Sequence, residues 1–167
     1  DVWDIHVFNF RTDSVLHTWS IPRNPEGRTW MLDKAERLFE NAPPMHSYLL
    51  PDRSVIAKLN KTPNLLKLDA DSRIVWTNHE MIWHHSIHPS VDGHIWTCGS
   101  DIPYRVGKPS IGRRVVNLNG HKVPFQEDHI VKIDVNTGKV LFRKGVAEIL
   151  VENGLAGRLY GGLLQDP

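Results

Sequence analysis

The stretch Ile130-Val-Lys-Ile-Asp-Val-Asn-Thr-Gly-Lys-Val-Leu-Phe142 decides the fold, because two other segments of the chain repeat its pattern. Residues 7–19 and 65–76 show the same order: an alternating apolar strand, an Asx-rich turn and a second strand ending in an aromatic residue. Period-two alternation predicts strands, and Asp-Ser or Asn-Thr-Gly supplies the turn between them. Each segment is therefore predicted to be a β-hairpin.

A second hairpin pattern alternates with the first and carries a histidine. Met45-His-Ser-Tyr-Leu-Leu-Pro-Asp-Arg-Ser-Val-Ile-Ala57 matches His84-His-Ser-Ile-His-Pro-Ser-Val-Asp-Gly-His-Ile-Trp96. The offset from His46 to His85 is 39 residues, close to the ~40–45-residue repeat of four-stranded propeller blades. A histidine hairpin followed by an Asx-turn hairpin makes one such blade.

The two repeats predict an all-β chain in which residues 1–167 form a partial β-propeller domain. It would contain about two and a half four-stranded blades: a remnant at 1–20, a blade at 45–78 and a blade at 83–144. The last blade carries a Gly- and Pro-rich insertion at 100–127, expected to be an excursion loop. Because a closed propeller needs roughly four to eight blades, we expect the rest to come from the same gene product or a partner chain.

Two short helices are predicted beside the strands. Residues 30–41 place apolar side chains at helical spacing and stop before Pro43-Pro44. Residues 146–153 are followed by Gly154, which is a suitable C-terminal stop.

Composition excludes several classes of function. The net charge is +1, so no basic surface for nucleic acid stands out, and no apolar run is long enough to span a bilayer. Cys98 is the single cysteine, which rules out an internal disulfide. The chain begins at Asp1 without an initiator Met, so we expect a processed or trimmed chain.

The repeated histidines, His46 and His85, are the first candidates for catalysis. In a propeller the innermost strand of each blade lines the central channel, so histidines at the same point of successive blades converge on one cavity. Imidazole can act there as nucleophile, general acid–base or anion donor. The alternative is that each histidine only caps a strand or bonds a backbone carbonyl.

A metal site is the second possibility raised by the histidines, because His79, His84, His85 and His88 lie close together in sequence. On a regular strand, however, His84 and His85 point to opposite faces. The sequence also lacks the carboxylate or Cys spacing of a standard zinc site. We therefore predict no metal ligand and no cofactor.

Two further residues are candidates for substrate binding. Arg105 lies in the insertion, and if that loop rims the channel its guanidinium could clamp an oxyanion bidentately. Trp83 flanks the histidine hairpin and could stack on a phenol, with core packing as the alternative. A solvated loop is the alternative for Arg105.

The chain resembles the arylsulfotransferase family, whose members are six-bladed propellers. The motifs that carry the resemblance are Met45-His-Ser-Tyr-Leu-Leu-Pro-Asp, Trp83-His-His-Ser-Ile-His-Pro-Ser-Val-Asp-Gly-His-Ile-Trp, and Asp128-His-Ile-Val-Lys-Ile-Asp-Val-Asn-Thr-Gly-Lys-Val-Leu. His85 matches the family's channel-histidine motif, and His46 matches it one blade earlier. Arg53 departs from the pattern, because that hairpin turn usually has Gly.

The resemblance implies transfer of a sulfuryl group from an aryl sulfate to a phenolic acceptor through a channel histidine, in the periplasm or outside the cell. It implies that the sulfated histidine lies in a later blade, beyond Pro167, while His85 holds or relays charge. A homo-oligomer is a further possibility. Two other functions stay open: a catalytically silent propeller that serves as a binding or assembly module, and a metal-dependent propeller enzyme.

Overall fold

The computed structural model describes residues 2–22, 43–59, 63–101 and 127–155 in full, and the backbone of residues 114–118 and 121–125. Antiparallel strands make up almost all of it, so the predicted all-β class is confirmed. In chain order the elements are β1 (Val2–Asn9), β2 (Ser14–Pro22), β3 (Pro44–Leu49), β4 (Val55–Leu59), β5 (Leu65–Leu68), β6 (Ile74–Asn78), β7 (Ile82–Pro89), β8 (Ile95–Ser100), β9 (Arg114–Leu118), β10 (His121–Phe125), β11 (Asp128–Ile133), β12 (Val140–Gly145) and α1 (Val146–Glu152).

Two four-stranded antiparallel sheets form the body of the structure. The first sheet has the order β3-β4-β5-β6, and the second sheet has the order β7-β8-β11-β12. Lys58 on β4 lies opposite Leu65 on β5, and Cys98 on β8 lies opposite Ile130 on β11. The strands of the two sheets therefore correspond in order, as the repeat in the sequence predicts. The propeller arrangement and its number of blades stay predictions.

Three layers pack on one another in chain order: the β1–β2 hairpin, the first sheet and the second sheet. The first sheet is buried on both faces, so every residue of β4 and β5 is buried, and both strands read as nearly unbroken apolar runs. The core between the hairpin and the first sheet contains Trp19, Ile21, Val55, Ala57, Leu59, Leu66 and Leu68. The core between the two sheets contains Ile56, Leu65, Trp76, Met81, Trp83, Ile87, Ile95, Val131 and Ile133.

The turns after β3 and β7 have the same geometry. The Arg53 N–H donates to the Leu50 carbonyl at 3.0 Å, and the Gly93 N–H donates to the Ser90 carbonyl at 3.1 Å. Arg53 and Gly93 have φ values of +65° and +82°, which is the left-handed conformation that favours glycine. Arg53 thus occupies a glycine conformation, which accounts for the departure visible in the sequence.

The insertion between β8 and β11 contains a hairpin that the sequence pattern did not predict. β9 and β10 pair antiparallel, with His121 opposite Leu118 and Phe125 opposite Arg114. The run Arg114–Leu118 is short and does not alternate, and turn-forming glycines and prolines lie on both sides of it, so this part of the sequence contains no strand signal. Residues 102–113 of the insertion lie outside the described residues.

The predicted C-terminal helix is confirmed as α1. Glu127 accepts a hydrogen bond from the Ala147 N–H at 2.8 Å in the first turn, and Gly154, with φ +72°, follows the last turn. The other predicted helix, at 30–41, falls outside the described residues. Within the described part of the chain, no helix has the length and apolar character that a bilayer crossing requires.

Candidate functional site

The two repeated histidines lie at matching irregularities of their strands. The pairing of β3 with β4 shifts register between Met45 and Tyr48, and the pairing of β7 with β8 shifts between His84 and Ile87. His46 and His85 sit inside these bulges with φ values of +49° and +57°. A left-handed conformation costs an L-residue about 1–2 kcal/mol, so each bulge must be stabilised by its surroundings.

Both bulges turn a histidine out of the sheet. The His46 and His85 side chains are exposed, whereas neighbouring positions such as Trp83 and Ile87 are buried. β3 and β7 lie next to each other across the two sheets. A β-bulge bends its strand and re-aims a side chain, and bulges are frequent beside active sites. The structure therefore gives both histidines the same local presentation to solvent on adjacent strands.

A buried lysine from the first sheet contacts the His85 bulge. Lys58 is only 1% exposed, and its Nζ donates to the carbonyl oxygens of His84 at 2.8 Å, His85 at 2.5 Å and Ser86 at 3.1 Å. It also lies 2.7 Å from Thr97 Oγ1. The sequence analysis did not identify Lys58. The feature of the sequence that could have indicated a special role is the position of this lysine within the otherwise apolar strand Val55–Leu59.

The four oxygens around Lys58 compensate the burial of its charge. Burial is the dominant effect and lowers the pKa of Lys58 to about 8, while Cys98 has the opposite effect. The ammonium form therefore still predominates at pH 7. Hydrogen bonds to a charged group each contribute about 1.5–3 kcal/mol, which offsets both the desolvation of the ammonium and the strain at His85.

His84 lies beside His85, contrary to the expectation for a regular strand. The two rings meet edge to face with centroids 4.6 Å apart, because the bulge removes the alternation that would have separated them. His84 Nε2 lies 3.2 Å from Asp128 Oδ1. Burial is the main cause that lowers the pKa of His84, with His85 and Lys58 adding to it and Asp128 opposing it.

The histidines of this region do not form a metal centre in the described part of the chain. Among those residues, no group of three or more His, Cys, Asp or Glu side chains is arranged to hold an ion. Outside the bulge, His88 Nε2 pairs with Ser86 Oγ at 2.7 Å. The His46 side chain is on the neighbouring sheet.

A second polar cluster lies at the end of the second sheet where β11 begins, and the sequence analysis missed it. His129 is buried, and its Nε2 lies 3.1 Å from Asp101 Oδ1 and 2.9 Å from an Arg143 nitrogen. Arg143 also pairs with Asp101. Asp101 directly follows β8, His129 lies on β11 and Arg143 lies on β12, so their contacts connect the ends of these strands. No spacing in the sequence indicates this grouping.

The two predicted substrate-binding residues have different outcomes. Trp83 is 1% exposed within the core between the sheets, and its indole N–H donates to the Asn78 carbonyl at 3.1 Å. Core packing therefore accounts for the position of Trp83. Arg105 falls outside the described residues, so its contact with an oxyanion stays a prediction.

Comparison with known proteins agrees with the resemblance of the motifs. The model of the family described as Arylsulfotransferase (ASST) matches residues 46–165, which include His46, His85 and all but the first two residues of the two sheets. A search of curated proteins and a search of solved structures each found no match. The family match covers well over half of the sequence. The chain therefore belongs to the arylsulfotransferase family.

Proposed function

We propose that this protein transfers a sulfuryl group from an aryl sulfate to a phenolic acceptor, with His85 and His46 contacting the transferred group. The observation that carries the proposal is the matching pair of exposed histidines at left-handed bulges in a chain of the arylsulfotransferase family. Adjacent inner strands of a propeller would direct both imidazoles into the same channel.

The proposed reaction has two displacements at a channel histidine, which we expect to lie in a later blade beyond Pro167. An imidazole nitrogen attacks sulfur, the bond from sulfur to the aryl oxygen breaks, and the departing phenolate takes up a proton. The acceptor phenol oxygen then attacks sulfur, the nitrogen–sulfur bond breaks, and the phenolic proton passes to a base. We assign His85 and His46 to the non-bridging oxygens, where donors stabilise developing charge.

An oxyanion requires cations or hydrogen-bond donors around it, and the chain can supply more than the two imidazoles. Arg105 is our candidate for a bidentate contact with the sulfuryl oxygens, since guanidinium geometry matches such groups. We expect no cofactor, because the donor and acceptor bring all the atoms that the transfer needs. The periplasm or the outside of the cell is our proposed location.

Completion of the channel requires further blades, and the outer face of the second sheet supports this. Ile130 and Phe142 occupy the positions that Leu65 and Trp76 hold in the first sheet. Leu65 and Trp76 are 0% and 8% exposed beneath the second sheet, whereas Ile130 and Phe142 are 39% and 44% exposed. We propose that a further sheet, from the same gene product or a second copy, covers them.

A transfer assay with a chromogenic aryl sulfate tests the proposed activity. The intact protein should release the coloured phenol continuously only when an acceptor phenol is present, and without acceptor it should release no more than about one equivalent per active site. Mass spectrometry should find the sulfated acceptor. Release of inorganic sulfate independent of the acceptor would instead indicate a sulfatase. Absence of turnover across donors and acceptors would favour a silent propeller that acts as a binding module.

His46→Ala tests how much the histidine of the first sheet contributes to the transfer rate, separately from His85 of the second sheet. Removal of one donor from a charge-stabilising site typically lowers the rate by ~10²–10³, and we expect a fall in kcat/KM of this order. His6→Ala is the matched control, because His6 is an exposed histidine on β1. Equal rates for the two variants would remove His46 from the site.

A further inference from the structure

We propose that Lys58 is a positioning residue for His85: its ammonium holds the carbonyls of residues 84–86 and thereby fixes the direction of the His85 imidazole. This inference rests on the function proposed for His85. Lys58 itself is 1% exposed, so it acts through the backbone and does not contact the substrate.

The geometry of the bulge is what Lys58 controls. Three successive carbonyl oxygens, those of His84, His85 and Ser86, converge within 3.1 Å of one Nζ atom. In an ordinary strand successive carbonyls point in opposite directions into the two neighbouring ladders. They converge here because His85 has φ +57° and because the β7–β8 pairing shifts register between His84 and Ile87. The ammonium thus stabilises the backbone conformation in which the His85 side chain points out of the sheet.

The partners of Lys58 distinguish it from the other buried lysine of the first sheet. Lys67 pairs with Asp52, with the charged atoms 3.5 Å apart, so its charge has a local carboxylate. Among the described residues, no carboxylate pairs with Lys58, and its oxygens are the bulge carbonyls and Thr97 Oγ1. Lys67 is therefore the matched control for a buried ammonium that does not touch the bulge.

Protonation of Lys58 gives the proposal a signature in the pH profile. The titratable groups near Lys58 are His84 and His85 on β7 and Cys98 on β8, while Lys67 shares its face of the first sheet. Burial lowers the pKa of Lys58 to about 8, so its charge disappears above that pH. Transfer activity should fall on the alkaline side with a midpoint near this value, and Lys58→Met should abolish that midpoint.

A double-mutant cycle with His85 shows whether Lys58 acts through that residue. Misplacement of a catalytic group by about 1 Å can lower the rate ~10²-fold, and Lys58→Met should lower kcat/KM by this order. Lys58→Met in the His85→Ala background should cause no further loss, since the residue it positions is gone. Lys67→Met should retain activity close to that of the unaltered protein. An additional ~10²-fold loss in the His85→Ala background would overturn the inference.

A structural measurement keeps the inference separate from the proposed activity. Relative to the unaltered protein, the backbone NMR shifts of residues 84–87 should change in Lys58→Met and should be unchanged in Lys67→Met. Both results are expected even if the protein transfers no sulfate. Thr97→Val removes one oxygen partner of Lys58 together with the hydrogen bond that the Thr97 hydroxyl donates to the Ser86 carbonyl at 3.2 Å, and it provides a milder change in case Lys58→Met does not fold. Unchanged shifts at His85 in both Lys58→Met and Thr97→Val would contradict the role of Lys58. Changed shifts without any turnover would leave this conformational role standing and refute the activity.

Discussion

The two four-stranded sheets follow one plan but differ at a position that matters for the site. Each has a histidine in a left-handed bulge on its first strand and an Asx turn between its third and fourth strands. Where the first sheet has Lys58, however, the second has Cys98. In two sheets with the same plan, the residues they share form the common strands and turns. A residue present in only one sheet is a candidate for a role specific to that sheet. Lys58 fills that role by reaching across to the neighbouring sheet.

The largest expected effect on stability concerns the turns that end in glycine. At Gly138, φ is +72° and an added Cβ would lie 2.5 Å from the Trp76 ring, whereas Gly93, with φ +82°, faces open space. Gly138→Ala should therefore combine a left-handed penalty with overpacking, lowering the free energy of unfolding by about 2–5 kcal/mol. Gly93→Ala should cost only about 1–2 kcal/mol. Urea denaturation measures both, and equal losses would contradict the packing of Trp76.

Arg53 and Gly93 allow a smaller and opposite test of the same turns. Arg53→Gly relieves a left-handed strain of about 1–2 kcal/mol but gives the unfolded chain more freedom, which costs about 0.4–1 kcal/mol. The net expectation is a gain of about 0–1.6 kcal/mol in unfolding free energy. The Trp19 indole bonds the backbone carbonyl of Arg53 at 3.2 Å, so glycine retains that contact. A clear loss of stability would show that the Arg53 side chain stabilises the turn.

The smallest expected effect is a pH dependence of stability from two half-buried histidines, His79 and His84. Burial lowers the pKa of His79 and His84 below the ordinary histidine value of about 6.5. The unfolded chain then binds more protons than the folded one, so stability falls as pH drops below about 6.5. His84→Gln should flatten this fall, while His6→Gln, an exposed control, should not. Urea midpoints between pH 5 and 7.5 measure the slope, and an unchanged slope in His84→Gln would refute the assignment.

Most of the hairpins could be predicted from the sequence because their signals are local. Alternation and the Asp-Ser or Asn-Thr-Gly turns identified the strand pairs β5–β6 and β11–β12, and Gly154 marked the end of α1. The β9–β10 hairpin escaped because glycines and prolines surround its short strands. The family was visible in the histidine hairpins, and the match over residues 46–165 confirms it.

The parts of the site that escaped prediction depend on backbone conformation and on contacts between sheets. The sequence pattern predicted corresponding strands for His46 and His85. The residue types around His85, however, do not indicate that its φ is +57°. Lys58 binds carbonyl oxygens, which every residue carries, so no partner could be recognised from residue identity. The Asp101, His129 and Arg143 cluster joins the residue after β8 to the β11–β12 hairpin across the whole insertion. Only the packed structure brings such groups together.

The most direct test of the account is sulfuryl transfer by the intact protein and by its His85→Ala variant, with a chromogenic aryl sulfate donor and a phenol acceptor. Loss of one charge-stabilising donor should lower kcat/KM by ~10²–10³, while His6→Ala, which removes an exposed histidine from β1, should retain the rate of the intact protein. Measurable transfer by the intact protein that His85→Ala leaves unchanged would contradict the placement of the reaction at the β7 bulge.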